Sequence, residues 1–287
     1  MIRNFIYSDS DKIRSISSQI FEGVSEHIIK SSETAKGVHE KQKGPLGSGQ
    51  LLGDIFSRTE SSQELRFLED YAYTILENKL LEDDLMQAYE KTYDGSGLSK
   101  SFVKIKARLN INDLAESAKT LVEFNELGEA FWRVSNEPMG WTPNIKILSE
   151  GEVKRKAGES GLYLNKRVAD SAAHILRFGY GDLIEATMNV GSIVFSAPIK
   201  RKFLREDVNM ILHKYSRRSQ VDFVMLGIVT QRGSHDEDED IPNVGDAEGL
   251  KNAMRTLALH LRTVERMYSA PSTNEIIIDP IAIYSLL

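Results

Sequence analysis

The sequence predicts an α+β fold: a mixed or antiparallel sheet built from strand–helix units, with helices packed on one side. Three observations carry that expectation. Val221 to Thr230 and Glu275 to Tyr284 are apolar runs of strand length. Between them Leu250, Met254, Leu257, Leu261, Val264 and Tyr268 step by three or four, which is the spacing of one helix face. Phe102 to Ile111 alternates apolar and basic residues, as a strand with one dry and one wet face does.

Taken in order, Phe5 to Tyr7 reads as a short strand or buried anchor. Asp9 and Ser10 offer N-cap oxygens to a helix running to about Ile29, with Ile13, Ile16, Ile20, Val24 and Ile28 on one face. From 31 to 62 the periodicity dissolves among glycines, so a mobile or binding loop is expected. Ser61 to Glu64 starts a helix striped by Leu65, Leu68, Ala72, Ile75, Leu76 and Leu80, and Leu85 to Tyr93 reads as a further helical stretch. After the strand at Phe102, Asn112 or Asp113 caps a helix whose Leu114, Ala118, Leu121, Phe124, Leu127 and Phe131 face inward. Pro138, Gly140, Trp141 and Pro143 exclude regular structure and divide the chain into a part at 1–135 and a part at 145–287. Beyond them come a helix from Arg167 to Phe178, strands at Leu183 to Met188 and Gly191 to Ala197, and a helix from Phe203 to Tyr215. Phe223 to Thr230 can be laid over Phe102 to Leu109, each followed by a helix; an internal duplication and the recurrence of a common pattern both account for this.

The 287 residues suffice for a sizeable core, and the net charge of −6 argues against a surface devoted wholly to nucleic acid. With no cysteine there are no disulfides, thiolate metal sites or cysteine nucleophiles, which fits a reducing, cytoplasmic setting. The first residues turn acidic before a signal-peptide core could form, and no apolar run approaches the roughly 18 residues of a membrane span. No membrane association is expected.

Candidate chemistry is sparse. Lys200, Arg201, Lys202, Arg205, Lys214, Arg217 and Arg218 concentrate cations in an otherwise acidic chain and could contact phosphate; the plainer reading pairs them with Glu206, Asp207 and the acidic loop at Asp236 to Asp240. That loop, Asp236, Glu237, Asp238, Glu239 and Asp240, lacks the alternation and glycine of a calcium loop; it reads as a solvated run or as a docking surface for a basic partner. Glu150, Glu152 and Lys154 hold the Glu-x-Lys spacing of some metal-dependent nucleases, where a strand presents the carboxylate to magnesium and the lysine steadies water. Chance occurrence competes with that. Gly44 to Gly49 invites a phosphate cradle but lacks the preceding strand and the following Lys-Ser or Lys-Thr pair, so a linker is the better account. No two histidines stand at metal-ligand spacing, and no cofactor or metal is expected.

Phe5 to Gly23, Lys202 to Asp207 with Val221 to Thr230, and Asp279 to Tyr284 together resemble a bacterial family of uncharacterised proteins, a domain of unknown function. The resemblance spans most of the chain. It implies no assigned catalysis, and it implies a setting in mobile and defence-associated bacterial islands. The expected function is a non-catalytic binding or accessory protein with a protein partner, in an anti-phage defence or regulatory assembly. The alternatives are nucleic-acid or nucleotide binding through 200–218 and a divergent metal-dependent nuclease.

Overall fold

In the computed structural model of the chain, residues 2–21, 62–90, 99–137, 148–233 and 270–287 are described, with 254, 260, 261, 264–266, 268 and 269. Their strands are β1 (Arg3–Ser8), β2 (Met86–Glu90), β3 (Phe102–Asp113), β4 (Ile184–Val190), β5 (Ile193–Ile199), β6 (Arg218–Arg232) and β7 (Glu275–Leu286). Their helices are α1 (Ser10–Ile20), α2 (Ser62–Glu82), α3 (Leu114–Asn136), α4 (Glu150–Glu159), α5 (Lys166–Tyr180) and α6 (Val208–Tyr215), with a 3₁₀ turn at Arg201–Phe203. The fold is α+β and the sheet is mixed.

The sheet closes on itself. β6 pairs antiparallel with both β3 and β7, β7 runs parallel to β5, and β5 leads back through β4 to β3. Counting the ring strands β3, β4, β5, β6 and β7 as first to fifth, the order round the barrel is first, second, third, fifth, fourth and back to first. The third and fifth strands are parallel, and α6 lies between the third and fourth in sequence. That connectivity is the one found in the oligonucleotide/oligosaccharide-binding (OB) barrel, a five-stranded Greek key. β1 extends the sheet beside the end of β7, and β2 lies parallel to the beginning of β3.

Local chemistry explains the turns and faces. Gly191 and Ser192 alone join β4 to β5, and Gly191 sits at φ +60°, where a tight hairpin needs a left-handed residue. On β6, Val224, Leu226 and Ile228 pack against Ile13 and Ile16 of α1 and Leu76 and Leu80 of α2, so these helices cover one side of the barrel. The alternate residues Phe223 and Met225 point the other way and are fully buried, like Val103 and Ile105 on β3. Side chains therefore fill the barrel. Asp9 caps α1 by accepting from the Lys12 amide at 3.1 Å, as expected. The helix closes at Ile20, and residues 22–29 of its expected length lie outside the described residues.

Three expectations are corrected. The helix expected over Leu85 to Tyr93 is β2 at its described residues: Asp84 reverses the chain at φ +56°, and pairing with β3 then outweighs local propensity. The helix expected from Phe203 begins only at Val208. Tyr7 bridges Leu204, and the Arg205 amide donates to the Ile6 carbonyl at 2.9 Å, which holds this stretch extended until Asp207 caps the helix. On α3 the buried residues are Ala118, Gly128 and Trp132, whereas Leu127 and Phe131 are 52% and 64% exposed. Gly128 sets that face: a Cβ there would strike the carbonyl of Leu162, so the helix approaches its neighbour through glycine.

The chain forms two compact units that interleave along the sequence. The first comprises 1–111, 186–235 and 271–287 and contains the barrel. The second comprises 112–185 and 236–270, which are the connections from β3 to β4 and from β6 to β7. Within it Trp132 packs on Val153 and Ala157 of α4, and Asn125 bonds Leu164 twice, donating to its carbonyl at 3.0 Å and accepting from its amide at 2.7 Å. The Leu114 amide donates to the Leu183 carbonyl at 3.2 Å, so the first connection leaves and returns side by side. The two strands that invited the reading of a duplication, β3 and β6, are antiparallel neighbours with Phe102 opposite Ile228.

Candidate functional site

The structure divides the basic stretch. Its first half is drawn into ion pairs. Lys200 Nζ lies 3.4 Å from Asp9, Lys202 Nζ 3.0 Å from Asp11, and Arg205 2.6 Å from Asp70 and 3.6 Å from Glu69. Lys214 pairs with Glu206 at 2.5 Å, and Lys202 also stands over the Phe203 ring at 4.2 Å. Arg201 sits in the 3₁₀ turn. Of these partners only Glu206 is near in sequence; Asp9, Asp11, Glu69 and Asp70 arrive from α1 and α2, which sequence separation hides.

Asp9, the partner of Lys200, is fully buried. Its carboxylate faces Lys12 at 3.2 Å as well as Lys200, and its amide donates to the Ile281 carbonyl at 2.8 Å. Lys12 also donates to the Pro280 carbonyl at 2.8 Å and pairs with Asp279. Burial first, and then the charge of Asp9, push the Tyr7 hydroxyl well above its ordinary range, and its ring meets Phe203 edge-on. The stretches beginning at Phe5 and Asp279 thus meet beside one buried carboxylate that Lys200 also reaches, and the stretch beginning at Lys202 meets the first through Lys202 with Asp11 and Phe203 with Tyr7. A second buried acid, Glu77, accepts hydroxyl bonds from Tyr284 at 2.9 Å and Tyr73 at 3.2 Å, with Lys104 at 3.0 Å and Arg3 as counter-charges. Both networks tie strands to helices; the Glu77 carboxylate is fully engaged, whereas the buried Tyr7 hydroxyl and Arg205 Nε have no hydrogen-bond partner among the described residues.

The second half of the basic stretch behaves differently. Among the described residues neither Arg217 nor Arg218 makes an ion pair, and Arg218 lines an open cleft of about 220 Å³ on the barrel wall. Lys106, Arg108 and Asn110 reach it from β3, Asn189 from the end of β4, and Asp222 with Arg218 from β6. Register explains the grouping. Asn110 lies opposite Arg218 and Arg108 opposite Asp222, while the alternation of β3 turns Lys106, Arg108 and Asn110 to one face. Arg108 and Arg218 are exposed and without an ion pair among the described residues; Lys106 reaches Glu90 at 3.4 Å on the surface. The wet face of β3 was legible in the sequence; its pairing with Arg218 across the ladder was not.

Glu150 and Glu152 lie in the first turn of α4, not on a strand. Glu152 closes a capping box with Ser149, accepting from its amide at 3.0 Å, and Lys154 stands 5.1 Å from the Tyr163 ring. The strand that a nuclease of this pattern requires is a helix here. Asp236 to Asp240 and Gly44 to Gly49 lie outside the described residues. Among the described residues no helix is long and apolar enough to cross a membrane, and no group of three or more His, Asp or Glu could hold a metal ion.

No curated protein and no solved structure matches the chain. One family model does, over residues 2–284, and it is described as a domain of unknown function, DUF6414. With nearly its whole length matched, the chain belongs to the DUF6414 family.

Proposed function

We propose that the protein is a non-catalytic binding protein and that its barrel binds a phosphate-bearing ligand. The observation that carries this is the cleft, where Lys106, Arg108 and Arg218 converge beside the amides of Asn110 and Asn189 on a chain of net charge −6. Three cations gathered against a negative background create a local positive potential that attracts phosphate oxygens, and guanidinium groups bind them bidentately. The basic site expected at 200–218 is redrawn by this reading. Lys200, Lys202, Arg205 and Lys214 are engaged in ion pairs, while Arg218 acts with two cations of β3. The role of Glu152 as a capping group supports a binding protein over a nuclease.

The reading also gives the protein a place as an accessory component of a bacterial defence or regulatory assembly, with Asp236 to Asp240 docking a basic protein partner. Sequence alone supports that part. It predicts that deleting 236–240 abolishes capture of the native partner in pull-downs while the melting temperature holds, and unchanged capture would refute it.

For the cleft, thermal shift with phosphate-bearing ligands is the direct measurement, since a ligand that binds only the folded state raises its stability. Inorganic tripolyphosphate, a nucleoside triphosphate and an oligonucleotide are the panel. At least one should raise the melting temperature of the wild-type chain, and none should raise that of Arg108→Ala/Arg218→Ala. A panel with no shift, or an equal shift in the variant, rejects the site.

A further inference from the structure

Resting on the reading of the cleft as a phosphate site, we infer that its ligand is single-stranded nucleic acid. Three observations narrow the class. The first is size. At about 220 Å³ the cleft falls below the roughly 300–1,000 Å³ of pockets that enclose small ligands. It cannot bury a nucleotide, so it suits one step along a ligand that continues over the surface. The second is spacing. Lys106 and Arg108 point the same way from alternate positions of β3, so their attachment points lie roughly 7 Å apart. Successive phosphates of an extended strand are separated by a comparable step. Arg218 stands on the neighbouring strand, opposite Asn110, and so offers a third contact off that line.

The third observation is the mixture of groups. A site for phosphate alone gains nothing from a carboxylate, yet Asp222 lines the cleft with Asn110 and Asn189. Carboxamides pair with the donor–acceptor edges of bases, and a carboxylate accepts from exocyclic amino groups. Asn110 already donates from Nδ2 to Thr187 at 3.3 Å, which orients its amide. Cations for phosphates lie beside amides and an acid for base edges, and only an unpaired strand presents its bases freely to such groups. The ring connectivity is that of the OB barrel, which binds oligonucleotides and oligosaccharides on its second and third strands, whereas the cleft here lies on the first, second and fourth. The cleft carries the inference, because a fold by itself does not specify a ligand.

Fluorescence anisotropy of the full chain with a labelled 15-nucleotide mixed-sequence single strand, its duplex, and unlabelled tripolyphosphate as competitor tests the inference. Single-strand binding should exceed duplex binding at least tenfold. Three phosphate contacts predict a slope of log affinity against log salt of about −2, and Arg108→Ala/Arg218→Ala should flatten it by more than half. Asn189→Ala should weaken single-strand binding several-fold and leave the salt slope unchanged. Lys202→Ala, which removes a cation outside the cleft, should change neither. Duplex bound as tightly as single strand, or tripolyphosphate binding at the cleft without any single-strand binding, would overturn the single-strand assignment and leave the phosphate reading standing. Binding of none of these anions, or binding that the double variant retains with the same slope, would remove both.

Discussion

Glu77 shows how much one side chain can organise. It is 3% exposed, yet it meets two tyrosine hydroxyls, a lysine and an arginine. Replacing it with alanine would leave two cations and two hydroxyls unmatched, and losses of about 3–5 kcal/mol are typical when one partner of a buried pair is removed. Urea unfolding of Glu77→Ala should show a loss of that order. Tyr284, on the same network, gives a pH signature. Burial first, and then the charge of Glu77, push its hydroxyl up to about 12 from the ordinary 10.0. The unfolded chain releases this proton before the folded one does. The contribution to stability is therefore complete below pH 10 and lost as the pH rises towards 12. Urea midpoints at pH 8 and pH 11 should fall less in Tyr284→Phe than in the wild type. Neither network could be read from sequence. Glu77 looks like any polar position of an amphipathic helix, and its partners lie up to 207 residues away.

At the scale of elements, helix and strand type was legible wherever the period was sustained, as on β3 and α5. It failed where a short segment took its conformation from a partner, as β2 does from β3. The inward face of α3 was misread for a related reason. Leu127 and Phe131 carry the larger apolar side chains, but Gly128 permits the closest approach, so the helix turns its glycine face to its neighbour and buries Trp132. Trp132→Ala should therefore cost about 3–5 kcal/mol, whereas Phe131→Ser should change stability by no more than about 0.5 kcal/mol. Chemical denaturation of the two variants separates the assignments. Equal losses would mean that both faces are buried.

At the scale of the molecule, the α+β class followed from the pattern of strands and helices, but closure into a ring did not. Closure depends on which strands become neighbours, and register between β3 and β6 or β5 and β7 leaves no local mark. The same holds for the cleft, whose lysine, arginines and amides come from three strands. The interleaved units carry a testable consequence. Because Leu114 and Leu183 are hydrogen-bonded to each other, the segment between them can be exchanged for a two-residue turn without moving β3 or β4. Such a chain should lose much of its helical circular dichroism and still unfold in a cooperative transition. A non-cooperative melt would show that the barrel depends on the removed segment.

β7 has a consequence for how the protein is made. It follows the other described strands in sequence, and three of them pair with it: β6 along one edge, β5 and β1 in succession along the opposite edge. Until it emerges, β1 and β5 lack the neighbour that joins them, and the ring has a gap. Those unpaired edges are the surfaces on which nascent chains aggregate or recruit chaperones. A chain truncated just before Glu275 should be degraded by protease throughout, whereas a chain that includes Glu275–Leu286 should be resistant.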